Sequence, residues 1–271
     1  MAFTRTFAIT LSLLLAALAG AAENESSTFK PRLFAFRNGV SFGPFDKEAA
    51  TLKALGYDGV GSVDAGSLAK RIAAYDAAGL KVFSVYIALG HKQLPEAIEL
   101  LKDRNATIEL TIRQKMGPET IKAVQNLADK AAEAKVRIAL YPHAGFTIEK
   151  IDPALELIKK VDRPNVGLMF NLCHFLKSEK AKDIEATLER AGSRIFAVST
   201  CGADADGKNW GTLIQPLDKG SFDQKRLFGT LKKIGFRGAV GIQCYAVKGD
   251  KRTNLERSMG AWKKILGAVN Q

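Results

Sequence analysis

One pattern limits what this chain can fold into: short apolar runs alternate with longer amphipathic stretches, and the pair recurs eight times. The apolar runs are Leu33–Arg37, Gly59–Val63, Val82–Leu89, Thr107–Ile112, Val136–Tyr141, Val166–Asn171, Ile195–Thr200 and Gly238–Gln243. They are rich in Val, Ile and Phe and read as parallel strands covered on both faces. Helices are expected over Phe45–Leu55, Leu68–Ala78, Pro95–Lys102, Pro118–Ala134, Ile148–Lys159 and Lys180–Ala191. Two more are expected, one capped by Ser221 or Asp223 and running to Ile234, the other over Leu255–Val269. Proline opens two of these helices and glycine closes several, as helix ends favour. Eight strand–helix units in about 250 residues predict an α/β protein, a single closed (β/α)8 TIM barrel. An open doubly wound sheet would want a glycine-rich phosphate turn after its first strand. The turn here, Phe36-Arg37-Asn38-Gly39, has neither that spacing nor a P-loop.

The chain opens MAFTRTFAITLSLLLAALAGAAE. Arg5 precedes an apolar core over Phe7–Leu18, and Ala19-Gly20-Ala21 supplies small residues for cleavage. This is the pattern of a secretory signal peptide. Residues 1–21 are therefore expected to be removed, leaving 22–271 as one barrel domain in the periplasm or outside the cell. No later stretch is apolar for long enough to span a bilayer, so no membrane anchor is expected.

Net charge is +12, but Lys and Arg are spread along the whole chain. Without an arginine-rich arm or a basic run interleaved with aromatics, this reads as a solvated surface, and no nucleic-acid partner is expected. The three cysteines, Cys173, Cys201 and Cys244, each follow a predicted strand. An odd number cannot all pair within one chain, and the lack of a CxxC excludes a zinc ribbon. They are buried small residues, a disulfide with one thiol over, or a reactive thiol.

In a barrel of this kind the chemistry lies at the carboxyl ends of the strands. There the chain reads ALYPHAGF (139–146), FNLCHFLK (170–177), VSTCGAD (198–204) and GIQCY (241–245). His143 and His174, two of only three histidines, sit just past neighbouring strands. Histidine is the usual proton carrier near neutral pH.

These segments resemble the xylose isomerase-like barrels of the sugar phosphate isomerase/epimerase superfamily. That resemblance implies one divalent metal held by a glutamate on strand five, an aspartate on strand six, a histidine on strand seven and a glutamate ending strand eight. It further implies that the two glutamates shuttle the proton. The frame is kept here and the ligands are changed. The positions fall on Tyr141, Asn171, Ser199 (or Thr200, with the strand-seven register one residue on) and Gln243, whereas the companion histidines remain as His143 and His174. Neutral oxygens do not offset a divalent cation as carboxylates do. No metal ligand and no cofactor are therefore assigned, and a repositioned divalent metal on His143, His174 and Gln243 stays open.

The expected catalytic residues are His143 and His174 as acid and base, with Lys177 for a developing oxyanion. The expected substrate-binding residues are Tyr86, Tyr141, Asn171, Ser199, Trp210, Gln215 and Gln243, which offer hydrogen bonds and an aromatic face to a small-molecule sugar. Trp210 and Gln215 lie on a loop of about twenty residues after strand seven, far longer than such loops usually are. Glu109 on strand four is one further candidate base. Together these imply proton transfer next to the carbonyl of a free or oxidised sugar: isomerisation, epimerisation, or elimination and hydration. A non-catalytic carbohydrate-binding barrel and a metal enzyme with a moved site remain alternatives.

Overall fold

The structure is a computed structural model, which describes residues 28–40 and 42–271. The expected signal peptide lies outside the described residues. Eight strands close into one barrel in chain order, each parallel to its neighbours. They are β1 Leu33–Phe36, β2 Gly59–Ser62, β3 Lys81–Ala88, β4 Thr107–Thr111, β5 Arg137–Leu140, β6 Val166–Asn171, β7 Ile195–Thr200 and β8 Val240–Ile242. The outer helices are α1 Phe45–Ala54, α2 Leu68–Ala77, α3 Leu94–Leu100, α4 Pro118–Glu133, α5 Ile151–Val161, α6 Leu172–Ser178, α7 Ile184–Ala191, α8 Trp210–Leu213, α9 Gln224–Lys233 and α10 Lys251–Val269.

The expected (β/α)8 barrel is the observed fold, with β6 and β7 at their expected bounds. Of the two caps proposed for α9, Asp223 is the one used: its carboxylate accepts from Lys225 N–H. Two short helices, α6 and α8, are not among the eight expected. Residues 172–178, read as a loop, form α6 directly on the end of β6. The long loop after β7 is braced within itself, by the short helix α8 and by a two-way backbone pairing of Gly202 with Gln215.

Two apolar layers hold the barrel. Leu, Ile and Val from strands and helices fill the space between them, and a smaller cluster of Phe34, Phe36, Phe83, Tyr141 and Met169 fills the barrel itself. Each large apolar side chain buried there contributes about 1.5–3 kcal/mol. Gly241 makes this interior possible. A Cβ on it would lie 2.6 Å from the Phe36 ring and 2.7 Å from that of Phe34. The two phenyl rings thus occupy the room that a side chain on β8 would take. The interior is packed, so within the barrel ligand space is left only at its two ends.

Candidate active site

The site is built around Asn171, the last residue of β6 and the N-cap of α6. Asparagine is a preferred N-cap because its side-chain oxygen satisfies amides that the first helical turn leaves open. Here Oδ1 accepts from Cys173 N–H at 3.1 Å and His174 N–H at 3.3 Å. The remaining amide group donates to the hydroxyl of Tyr141 on the neighbouring strand end. Asn171 therefore aims α6, and with it His174, at the barrel mouth.

His143 and His174 meet there with ring centroids 4.0 Å apart. The backbone of Ala144 lies between them in function. Its carbonyl is 3.0 Å from His143 Nδ1, and its N–H is 3.2 Å from His174 Nδ1. A carbonyl only accepts and an N–H only donates, so the tautomers follow. His143 carries its proton on Nδ1 and leaves Nε2 bare. His174 leaves Nδ1 bare and carries its proton on Nε2.

Burial disfavours the charged form of both rings. Burial holds His143 below its ordinary value, and the nearby Arg113 charge adds to that. Burial and the adjacent His143 push His174 down to about 3. Both are neutral at pH 7, with one presenting a lone pair and the other an N–H. Phe146 stacks against His143 at 4.1 Å and 15°, and the Arg113 guanidinium lies 4.1 Å from the centre of the Phe146 ring.

A cavity of about 530 Å³ opens over this pair. That volume lies within the range of small-molecule sites. Tyr86, Tyr141, His143, His174, Trp210 and Gln243 line it, together with Arg113, Asn38, Phe146 and Tyr245. Arg113 is the only formally charged side chain among the lining residues. Six of the expected site residues thus come together, with Asn171 directly beneath them. Three do not reach the cavity. Ser199 is fully buried opposite Asn171 in the barrel wall. Gln215 holds the long loop, donating from Nε2 to the Thr212 carbonyl at 2.9 Å. Lys177 is exposed and reaches the Lys208 carbonyl at 2.9 Å, with its ammonium 5.8 Å from the Trp210 ring centre. It ties α6 to the long loop and does not line the cavity.

Arg113, Asn38, Phe146 and Tyr245 were not singled out from sequence as site residues. Arg113 and Asn38 each lie two residues beyond a strand end, and that position is the only signal that marks them. Glu109 does face inward on β4, but it lies within the barrel, fully buried, and burial pushes its carboxyl up to about 8. It is not among the cavity's lining residues. The three cysteines carry free thiols. Burial pushes Cys244 up to about 12, and the neighbouring Cys173 together with burial raises Cys201 strongly. The thiolate is the reactive form, so Cys201 and Cys244 are packing residues, and Cys173 is fully buried in the same core.

The residues expected at the family's metal position do not fit a divalent ion. Asn171 Oδ1 is committed to the cap of α6. Gln243 Oε1 accepts from Asn38 Nδ2 at 2.7 Å and from the N–H groups of Cys244 and Tyr245 at 3.0 and 3.1 Å. Tyr141 is a buried phenol whose environment strongly favours the neutral form. Among the described residues no group of three His, Cys, Asp or Glu side chains is placed to hold a metal.

The family model for the xylose isomerase-like TIM barrel matches residues 109–265. Inosose isomerase of Bacillus subtilis (strain 168) is 25% identical over 171 residues, which are 61% of this chain and 60% of that protein. The match thus spans about three fifths of that relative's length. A solved 3-keto-D-glucoside 4-epimerase from E. coli superposes with a TM-score of 0.67 at 15% identity, covering 87% of this chain and 99% of that one. The IolI protein, solved with a bound zinc atom, superposes with a TM-score of 0.69 at 17% identity, covering 88% and 98%. At those identities the structural likenesses establish the fold, which the sequence match over the second half of the barrel carries further. The chain is a member of the xylose isomerase-like TIM barrel family.

Proposed function

We propose that this chain is a sugar isomerase/epimerase-like enzyme that moves a proton next to the carbonyl of a free or oxidised sugar, without the family's metal. The observation that carries this reading is the pair of opposite tautomers that Ala144 gives to His143 and His174. His143 Nε2 takes the proton from the carbon beside the carbonyl. The electron pair of that C–H bond moves into the C–C bond, and the carbonyl oxygen becomes an enolate oxygen. His174 Nε2–H donates to that oxygen, as a neutral imidazole does where protonation is suppressed. Return of the proton by His143 to the neighbouring carbon, as the hydroxyl proton there passes to the enolate oxygen, gives isomerisation, and its return to the opposite face after the intermediate turns over in the cavity gives epimerisation. Loss of a β-hydroxyl as water, with the proton that His143 Nε2 has taken up passing to the leaving oxygen, instead gives elimination. Tyr141 and the free amide of Gln243 supply further donors to sugar oxygens, and Trp210 an apolar face.

Arg113, the one charge at the cavity, favours a sugar oxidised to a carboxylate over a neutral one. The inosose isomerase likeness supports an isomerase acting on a polyol-like ring. The leader over residues 1–21 supports an exported protein whose substrate is met in the periplasm or outside the cell. The test is proton exchange in D2O across free ketoses, keto-sugars and uronates. Deuterium should enter beside the carbonyl of at least one. His143→Gln should reduce that exchange by a factor of about 100 or more, in line with loss of a general base. Binding without exchange by any compound would instead make this a carbohydrate-binding barrel. Exchange unaffected by His143→Gln would remove the histidine from the mechanism.

A further inference from the structure

A second cavity, of about 260 Å³, lies at the opposite end of the barrel, where the strands begin. Lys30 and Arg32 enter it ahead of β1, Arg137 opens β5, and Arg237 precedes β8. Chain closure brings these four cations from three separate loops to one rim. No carboxylate is among the lining residues, and none of the four forms an ion pair among the described residues. Elsewhere the described arginines and lysines find acidic partners repeatedly, as Arg163 does with Asp129 and Arg226 with Glu185.

Two of the four cations are held in place by aromatic rings. Arg32 lies 4.7 Å from the ring centre of Phe83, and Arg137 lies 5.4 Å from that of Phe196. Stacking fixes a guanidinium plane while leaving its N–H groups to face a ligand. Arg137 is half-buried, and its Nε has no hydrogen-bond partner among the described residues. At the base of the cavity sits Ser84, only 1% exposed, whose hydroxyl makes no well-formed hydrogen bond and lies beside the buried carboxyl of Glu109, which burial keeps protonated. Buried polar groups are normally satisfied, and four cations gathered at one rim without an acidic partner repel one another. A rim of unpaired guanidinium groups over an unsatisfied hydroxyl matches an oxyanion, which accepts from all of them at once. The cavity is a little smaller than drug-sized sites, which suits a compact anion.

We infer that the strand-start end of this barrel binds a phosphate-like tetrahedral oxyanion, free or carried on a small ester, at a site separate from the histidine pair. Arg137, Arg237 and Arg32 supply the charge, and Ser84 supplies one donor at the base.

Inorganic phosphate titrated into the full chain, against sodium chloride of equal ionic strength, tests this by calorimetry and thermal melting. Saturable binding of one phosphate per chain, with a rise in Tm, is expected. Arg137→Gln should weaken binding tenfold or more. Arg237→Glu, at an exposed position, should abolish the phosphate effect while raising Tm without phosphate, because it relieves repulsion at the rim. Arg113→Gln, at the other end of the barrel, should leave phosphate affinity unchanged. Glycerol 3-phosphate distinguishes the sources: tighter binding than phosphate identifies an ester ligand, and equal binding identifies the free anion. Absence of saturable phosphate binding, or affinity unchanged in both Arg137→Gln and Arg237→Glu, would overturn the site. Loss of proton exchange at the histidine pair has no bearing on these readouts, so the two readings fail separately.

Discussion

His143 and His174 lie 4.0 Å apart, yet Ala144 between them in hydrogen bonding gives them opposite proton positions. Their roles therefore differ although their chemistry is the same. As the proposed base, His143 works only when neutral. Burial and then the Arg113 charge keep it neutral below its usual range. The acid limb of kcat/KM should accordingly lie below pH 6.5, the ordinary histidine value. Arg113→Gln removes one of the causes that depress His143, so its pKa should rise and the acid limb move to higher pH. NMR titration of the His143 ring checks this without a substrate. A limb that stays in place while the His143 resonance shifts would assign the limb to another group.

Stability should also depend on the two buried titrating groups, with opposite signs. Folded His174 stays unprotonated to about pH 3, whereas an unfolded histidine takes up a proton near 6.5. Between those values the unfolded chain binds more protons. Its stabilising effect is therefore complete above pH 6.5 and is lost as pH falls, by at most about 1.4 kcal/mol per pH unit. Glu109 behaves in the other direction. It holds its proton to about pH 8 when folded but loses it near 4.5 when unfolded. Its effect is complete below 4.5 and is lost as pH rises toward 8. Relative to wild type, Glu109→Gln should gain stability between pH 5 and pH 8, and His174→Gln should gain it between pH 7 and pH 5. Urea unfolding at those pH values measures both, and parallel curves for wild type and variants would contradict the assignments.

The barrel is legible because each strand is a continuous apolar run and each helix has its own end signals. Burial on both faces leaves little ambiguity in Val166–Asn171, whose expected and observed bounds agree. The short helix α6 is hard to read from sequence for a physical reason: its N-cap, Asn171, also ends β6, and the buried Leu172, Cys173, Phe175 and Leu176 continue the apolar run across the junction. That helix also moves Lys177 to an exposed position, away from the cavity that its closeness to His174 suggested. His143, His174, Tyr141 and Gln243 were found because they hold fixed places after strands. Arg113 and Asn38 hold equally fixed places, but nothing in residue type separates them from ordinary loop residues. Their meeting at one mouth depends on ring closure, which juxtaposes strands far apart in the chain.

Restoring the family's ligands should restore a metal site. Asn171→Asp keeps the cap of α6, since aspartate caps as well as asparagine. Combined with Tyr141→Glu, Ser199→His and Gln243→Glu, it places three carboxylates and an imidazole where the wild type has neutral oxygens. The buried negative charges should lower Tm in the absence of metal. Zinc or manganese should then raise it, because binding energy to a site formed on folding is folding energy. Elemental analysis after dialysis against either ion should find about one equivalent in the quadruple variant and a small fraction in wild type. A full equivalent in wild type would show that His143, His174 and Gln243 hold a metal after all.

Trp210 and Lys177 touch the same loop but should affect the site differently. The Trp210 ring packs edge-on against His174 at 5.2 Å and forms part of the cavity wall. Burial is the largest cause of the low pKa of His174. Trp210→Ala admits water to one side of that ring, so the His174 pKa should rise by at least about one unit, toward its ordinary value. KM should rise about tenfold as the apolar face is lost. Lys177 donates to the Lys208 carbonyl outside the cavity. Lys177→Met should leave the His174 pKa where it is and change kcat by less than about threefold, since only a partly exposed loop contact is removed. Carbon-detected titration of the His174 ring in both variants separates the roles. A loss of turnover in Lys177→Met comparable to that in His143→Gln would return the lysine to the reaction.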